Sequence, residues 1–220
     1  MGKAVEIVRR QCPKFQVRDK QNSFLQRLIG WILKPWNPDI MKDYWTTVGF
    51  TTWRPSEAVN DDVWLTLFHE GLHAVDAKRI TRLLFLFLYL FPVSFAPVAV
   101  VIIGHLFSWW YAPLGLLLLL PKVPAPFRFF FEMRAYRVNM AIDYWTVGDD
   151  AFSDENVSWY AQQMYGPRYY FTWPFKKSLM WALEKIIKEV KSGELMNDVY
   201  YVRIYDFLRE EGLLKEHVGN

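Results

Sequence analysis

The sequence predicts an α+β fold, mainly helical, in which two chemistry-bearing helices are separated by an apolar helical hairpin and a short strand or hairpin precedes the first. Three observations predict it. Residues 67–79, LFHEGLHAVDAKR, sit in a long pattern of helix formers. From Leu83 to Pro121 there is no Asp, Glu, Lys or Arg. Polar helical patterning then returns and brings an isolated Glu132.

Composition narrows the class. The chain has 220 residues, 52% of them hydrophobic and 18% aromatic, including 11 Trp and 17 Phe. Such aromatic content suits a lipid interface. A formal net charge of +3, without a basic stripe interleaved with aromatics, gives no ground for nucleic-acid binding. Cys12 is the only cysteine, which excludes a disulfide framework within the chain and a Cys-rich zinc site. No secretory signal is expected, because the first sufficiently long apolar run begins only after residue 80.

The elements follow in order. Residues 4–18 read as a strand through Val5, Ile7, Phe15 and Val17, interrupted at Pro13. Residues 23–34 place Phe24, Leu25, Leu28, Ile29 and Ile32 at helical spacing, as a core helix or an interfacial one near Trp31 and Trp36. YWTTVGFTTW, 44–53, reads as a strand or bent hairpin around Gly49. Asn60, with Asp61 and Asp62 after it, supplies an N-cap and an acidic first turn for a helix from Val63 to Arg82. The uncharged run to Pro121 would be about 58 Å long as one helix, enough for two crossings of a ~30 Å hydrocarbon core. Its turn is expected near 104–110. Lys78, Arg79 and Arg82 before it and Lys122 and Arg128 after it put both flanks on the cytoplasmic side. A buried hairpin or an assembly surface is the alternative. Further helices are expected over 126–145, 175–192 and 197–211, with 146–159 as a capped loop. The chain therefore divides into 1–82, with the strands and the first motif helix; 83–121, the apolar hairpin; and 122–220, with the Glu132 helix and the C-terminal helices.

His69 and His73 are four residues apart, so a helix presents both imidazoles on one face within reach of one metal ion. Glu70 falls one position round, where it can serve a metal-bound water as base. A catalytic zinc needs a third protein ligand and leaves its fourth position to water. His105 in the apolar run and His217 near the end are poor candidates. Glu132 is the only acidic residue between Asp76 and Asp143. Behind Phe129, Phe130 and Phe131 it would be costly to bury without a cation. A metal would supply one; Arg128 or Arg134 could do so instead. Two crossings of a membrane would return Glu132 to the side of His73, whereas one would separate them. Glu70 and His73 also spell a di-iron half-motif, but the second copy such sites need is missing.

His-Glu-Gly-Leu-His, an apolar hairpin and then Glu-Met-Arg-Ala-Tyr resembles the gluzincin class of zinc metallopeptidases, in particular the integral-membrane heat-shock and CAAX-processing type. The resemblance covers residues 63–145. It implies His69, His73 and Glu132 as zinc ligands, Glu70 as base and a peptide or protein substrate. That family places Asp four residues after the third ligand to orient a zinc histidine; this chain has Tyr136 there. Asp76, at i+7 and i+3 from the two histidines, is the first alternative for that outer role, and Asp143 the second. Each could equally be a helix-surface carboxylate, and Tyr136 could simply pack. The strand at 44–53 would bind an extended peptide at its edge, or be purely structural. The expected protein is thus a membrane-associated zinc metallopeptidase with its catalytic part on the cytoplasmic side. The rival is a non-catalytic membrane or assembly protein with a structural or vestigial metal site, for which aromatic segments such as 164–175 would form the interface with an oligomer or partner.

Overall fold

A computed structural model describes residues 1–34, 41–42, 45–55, 63–119, 123–166 and 172–215. Among them the fold is mainly helical with one small sheet, as the predicted class requires. The helices are α1 (Gly2–Gln11), α2 (Phe24–Leu33), α3 (Val63–Ile80), α4 (Arg82–Tyr89), α5 (Ala96–Leu106), α6 (Pro126–Val147), α7 (Asp154–Tyr165), α8 (Lys176–Lys191) and α9 (Val199–Glu210). The strands are β1 (Gln16–Asp19), β2 (Thr46–Val48) and β3 (Thr51–Arg54), in the order β1-β3-β2. β1 runs parallel to β3, and β2 antiparallel to it around Gly49, whose φ of +67° suits glycine in a tight turn.

α3 and α6 are the two central helices and pack against each other. α1 lays Ala4 and Val8 on α3, and α8 and α9 cover α6 with Leu179, Leu183, Ile204 and Leu208, all essentially fully buried. The close approach of α1 depends on Gly71, the middle residue of the histidine motif. A Cβ there would lie 2.6 Å from Val8 Cγ2 and 3.0 Å from the Tyr200 hydroxyl. That hydroxyl donates to the Phe68 carbonyl at 2.9 Å, tying α9 to α3.

Three expectations need correction. Residues 2–11 are helical rather than extended, because the buried positions Ala4 and Val8 are four apart and Pro13 lies beyond the helix end. The expected loop at 146–159 is a 3-10 turn followed by α7, whose N-cap Ser153 accepts a hydrogen bond from the Asn156 amide and whose first turn carries Asp154 and Glu155. The bilayer-crossing hairpin is not supported: among the described residues, no helix is long and apolar enough to cross a membrane. Thr81, at φ +76°, ends α3. Pro92 and Pro97 lack the amide needed to carry a helix onward, and the run becomes α4, α5 and a 3-10 segment, Ala112–Leu119. The expected N-cap at Asn60 and the residues Trp36, Lys122 and His217 lie outside the described residues, as does part of the 164–175 segment.

Candidate metal centre

α3 projects His69 and His73 toward α6, and α6 projects Glu132 back. All three are buried, and their ligand atoms lie within 4.8 Å of one another. His69 Nε2 is 3.5 Å from Glu132 Oε2, and His73 Nε2 is 3.8 Å from Glu132 Oε1. The imidazole rings stand edge to face with centroids 5.2 Å apart. Burial alone would raise the Glu132 carboxyl, but the hydrogen bond from His69 and the charges of His73, His69 and Arg128 outweigh it and bring it to about 2. Burial disfavours the charged form of both histidines. It wins at His73, which is lowered, and loses to Glu132 at His69, which is raised.

The donor set can be tested for fit. Two tetrahedral ligands, each about 2.0–2.1 Å from a zinc ion, lie roughly 3.3 Å from one another. His69 and His73 lie 3.5 and 3.8 Å from different oxygens of Glu132, so an ion would draw the three groups inward. Glu132 Oε2 is moreover buried with only the long 3.5 Å contact to His69, which leaves room for a closer cation at a carboxylate that is costly to bury. The two imidazoles and one carboxylate therefore form a buried group that could hold a metal ion.

Glu70 lies next to this cluster, partly exposed, and its charge acts on His69, His73 and Tyr89. Its carbonyl accepts a hydrogen bond from Thr47 Oγ1 at 3.4 Å, which joins the motif helix to β2. Lys20, buried after β1, also feels the Glu70 charge; burial brings it down to about 8 despite that carboxylate.

The outer residues sort differently from expectation. Asp76 is buried, with one oxygen 2.6 Å from Arg134 and the other without a partner, as is His73 Nδ1. Burial raises the Asp76 carboxyl, partly opposed by Arg134. Tyr136 stacks edge-on against His69, centroids 5.0 Å apart, and against Tyr160 at 5.6 Å. Asp143 stands further along α6, eleven residues or about 16 Å of helix past Glu132, and accepts the Tyr160 hydroxyl.

Two residues escaped the sequence reading. Asn139, buried on α6, lies against His69. It stands seven residues after Glu132 and hence on the same helical face, the one signal that could have found it. Tyr89 comes from α4. Its hydroxyl donates to Glu132 Oε1, and its ring lies 5.6 Å from that of His73 and under the Arg128 guanidinium at 5.3 Å. Burial and the Glu132 carboxylate both push that hydroxyl up, so it stays a donor. Nothing in the local pattern RLLFLFLY points to it.

Comparison with known proteins supplies no family: no family model, curated protein or solved structure matches the chain.

Proposed function

We propose that the chain is a zinc-dependent metallopeptidase in which His69, His73 and Glu132 hold the ion and Glu70 is the general base. The observation that carries this reading is the closure of α3 on α6, which gathers the three buried donors within 4.8 Å of one another. Two imidazoles and one carboxylate form a donor set suited to catalytic zinc. When bound, the ion supplies a Lewis acid for the scissile carbonyl and lowers the pKa of a water.

The chain's own groups do the rest. Glu70, partly exposed beside buried histidines, takes a proton from the attacking water and passes it to the leaving amine. Tyr89, a protonated donor at the cluster, hydrogen-bonds the oxyanion as it develops. β2 is an edge strand packed on α3, and an extended peptide adds to it by main-chain pairing.

Elemental analysis of purified wild type, H73A and E132A tests the centre, and turnover of a quenched fluorescent protein substrate by E70Q tests the base. One zinc per chain is expected in wild type and in E70Q, with loss in H73A and E132A; E70Q should lose turnover by several orders of magnitude. Zinc retained in E132A would remove Glu132 from the ligand set. An E70Q variant as active as wild type would favour the non-catalytic rival.

A further inference from the structure

The apolar stretch is built inside out. α5 packs along the 3-10 segment Ala112–Leu119, and the residues between them are small: Ala99, Gly104, Ala112 and Gly115 are buried. A Cβ on Gly115 would lie 2.5 Å from the Val100 backbone nitrogen, and one on Gly104 would lie 2.6 Å from the Trp109 ring. The large side chains point outward. Val101 is 57% exposed, Leu106 68%, Trp110 92% and Leu117 53%. A hairpin folded for water hides its large apolar residues; one folded for lipid packs on small residues and gives the large ones to acyl chains. The exposed face continues onto α4 through Leu83, Leu84 and Phe87.

Length and charge specify the fit. The 11 residues of α5 rise about 16 Å, and the 8 residues of the 3-10 segment rise about the same. Each is close to half of a ~30 Å hydrocarbon core. Lys78, Arg79 and Arg82, all exposed, stand just before the apolar run, where a bilayer with anionic headgroups would meet them. A protein partner would instead call for a polar rim and distributed hydrogen bonds, and Leu83–Leu119 carries no charged group.

We propose that the lobe of α5 and Ala112–Leu119 inserts into one leaflet of an anionic bilayer without crossing it. This anchor is independent of the metal chemistry, so its test needs no turnover. Cys12 is the only cysteine, so C12A allows single spin-label sites in the full chain: W110C and L117C on the lobe, and K185C on α8 as a control. The labelled proteins are mixed with sealed vesicles of phosphatidylcholine with or without phosphatidylserine, and depth is read from the relaxation of the label by oxygen and by a water-soluble nickel chelate. The two lobe labels should be shielded from nickel added outside and from nickel trapped inside, and only with phosphatidylserine present at ordinary salt. The K185C label should stay in water. V101E/L106E should weaken vesicle partitioning by at least about tenfold while leaving the far-ultraviolet dichroism and zinc content unchanged. Lobe labels reached by the trapped chelate would mean crossing, and would overturn the proposal. So would labels left in water, and so would labels shielded without vesicles in a concentration-dependent oligomer of the protein.

Discussion

Asn139 and Tyr89 touch different donors of the metal cluster, and substituting them should separate binding from turnover. His69 Nδ1 and Asn139 Oδ1 are both buried, and Asn139 acts on His69 as a hydrogen-bond partner. That bond would fix the tautomer that leaves His69 Nε2 free to bind a metal. N139A should therefore weaken zinc affinity by about 10–100-fold, measured by competition with a chelator of known affinity, with turnover restored at saturating zinc. Tyr89 meets the cluster as a hydrogen-bond donor. Y89F keeps the ring that packs near His73 and Phe85 and removes only the hydroxyl. It should retain its zinc and lose about 10²–10³ in kcat, with KM little changed. A fall in zinc content with normal kcat in the loaded protein would make Tyr89 a support for Glu132 instead. The cluster of His69, His73 and Glu132 was legible because its members are anomalies: paired histidines on one helical face, and one carboxylate in a stretch otherwise apolar and basic. Tyr89 was not, since a tyrosine in an apolar run looks like any other packing residue until the chain turns back.

Among elements, the helix patterns at 24–33, 63–80, 126–147, 176–191 and 199–210 could be read closely, since each repeats an apolar face over several turns. The misread elements are the short ones. α1 offers only two buried positions, and α7 is half polar, so its Ser153 cap and acidic first turn looked like a loop. The apolar run shows the opposite failure. Its hydropathy is unmistakable, yet hydropathy does not say where a helix breaks, and prolines and tertiary contacts divide what one continuous helix would have made long enough to span. Gly71 shows how element packing reaches the metal centre. Within HEGLH it carries no chemistry, but α1 and α9 meet α3 at this point through Val8 and Tyr200. G71A would press a methyl to within 2.9 Å of both Val8 methyl carbons, and should cost about 1–3 kcal/mol. Thermal unfolding would show this as a lowered Tm. A Val8→Ala change made together with G71A should recover part of the loss, because it removes the atoms that clash.

At the level of the whole molecule, the candidate metal ligands join the two helices around which the core is assembled. α3 packs α1 and the sheet, α6 packs α8 and α9, and His69, His73 and Glu132 are among the ionisable groups enclosed between them, beside the Asp76–Arg134 pair. An ion held there cross-links residues 63 positions apart, from His69 to Glu132, and compensates a buried carboxylate. Because the unfolded chain has no such arrangement, metal affinity adds directly to folding stability. At free zinc one hundred times the dissociation constant the gain is about 2.7 kcal/mol, which for a chain of this size raises Tm by about 5–10 °C. Scanning calorimetry of wild type with zinc and with excess chelator should show that difference. E70Q should show it undiminished, because Glu70 is not among the proposed ligands, while H73A and E132A should melt at one temperature in both conditions. A zinc-dependent shift that survives in E132A would mean that the ion binds elsewhere, and that α3 and α6 are held together by packing alone.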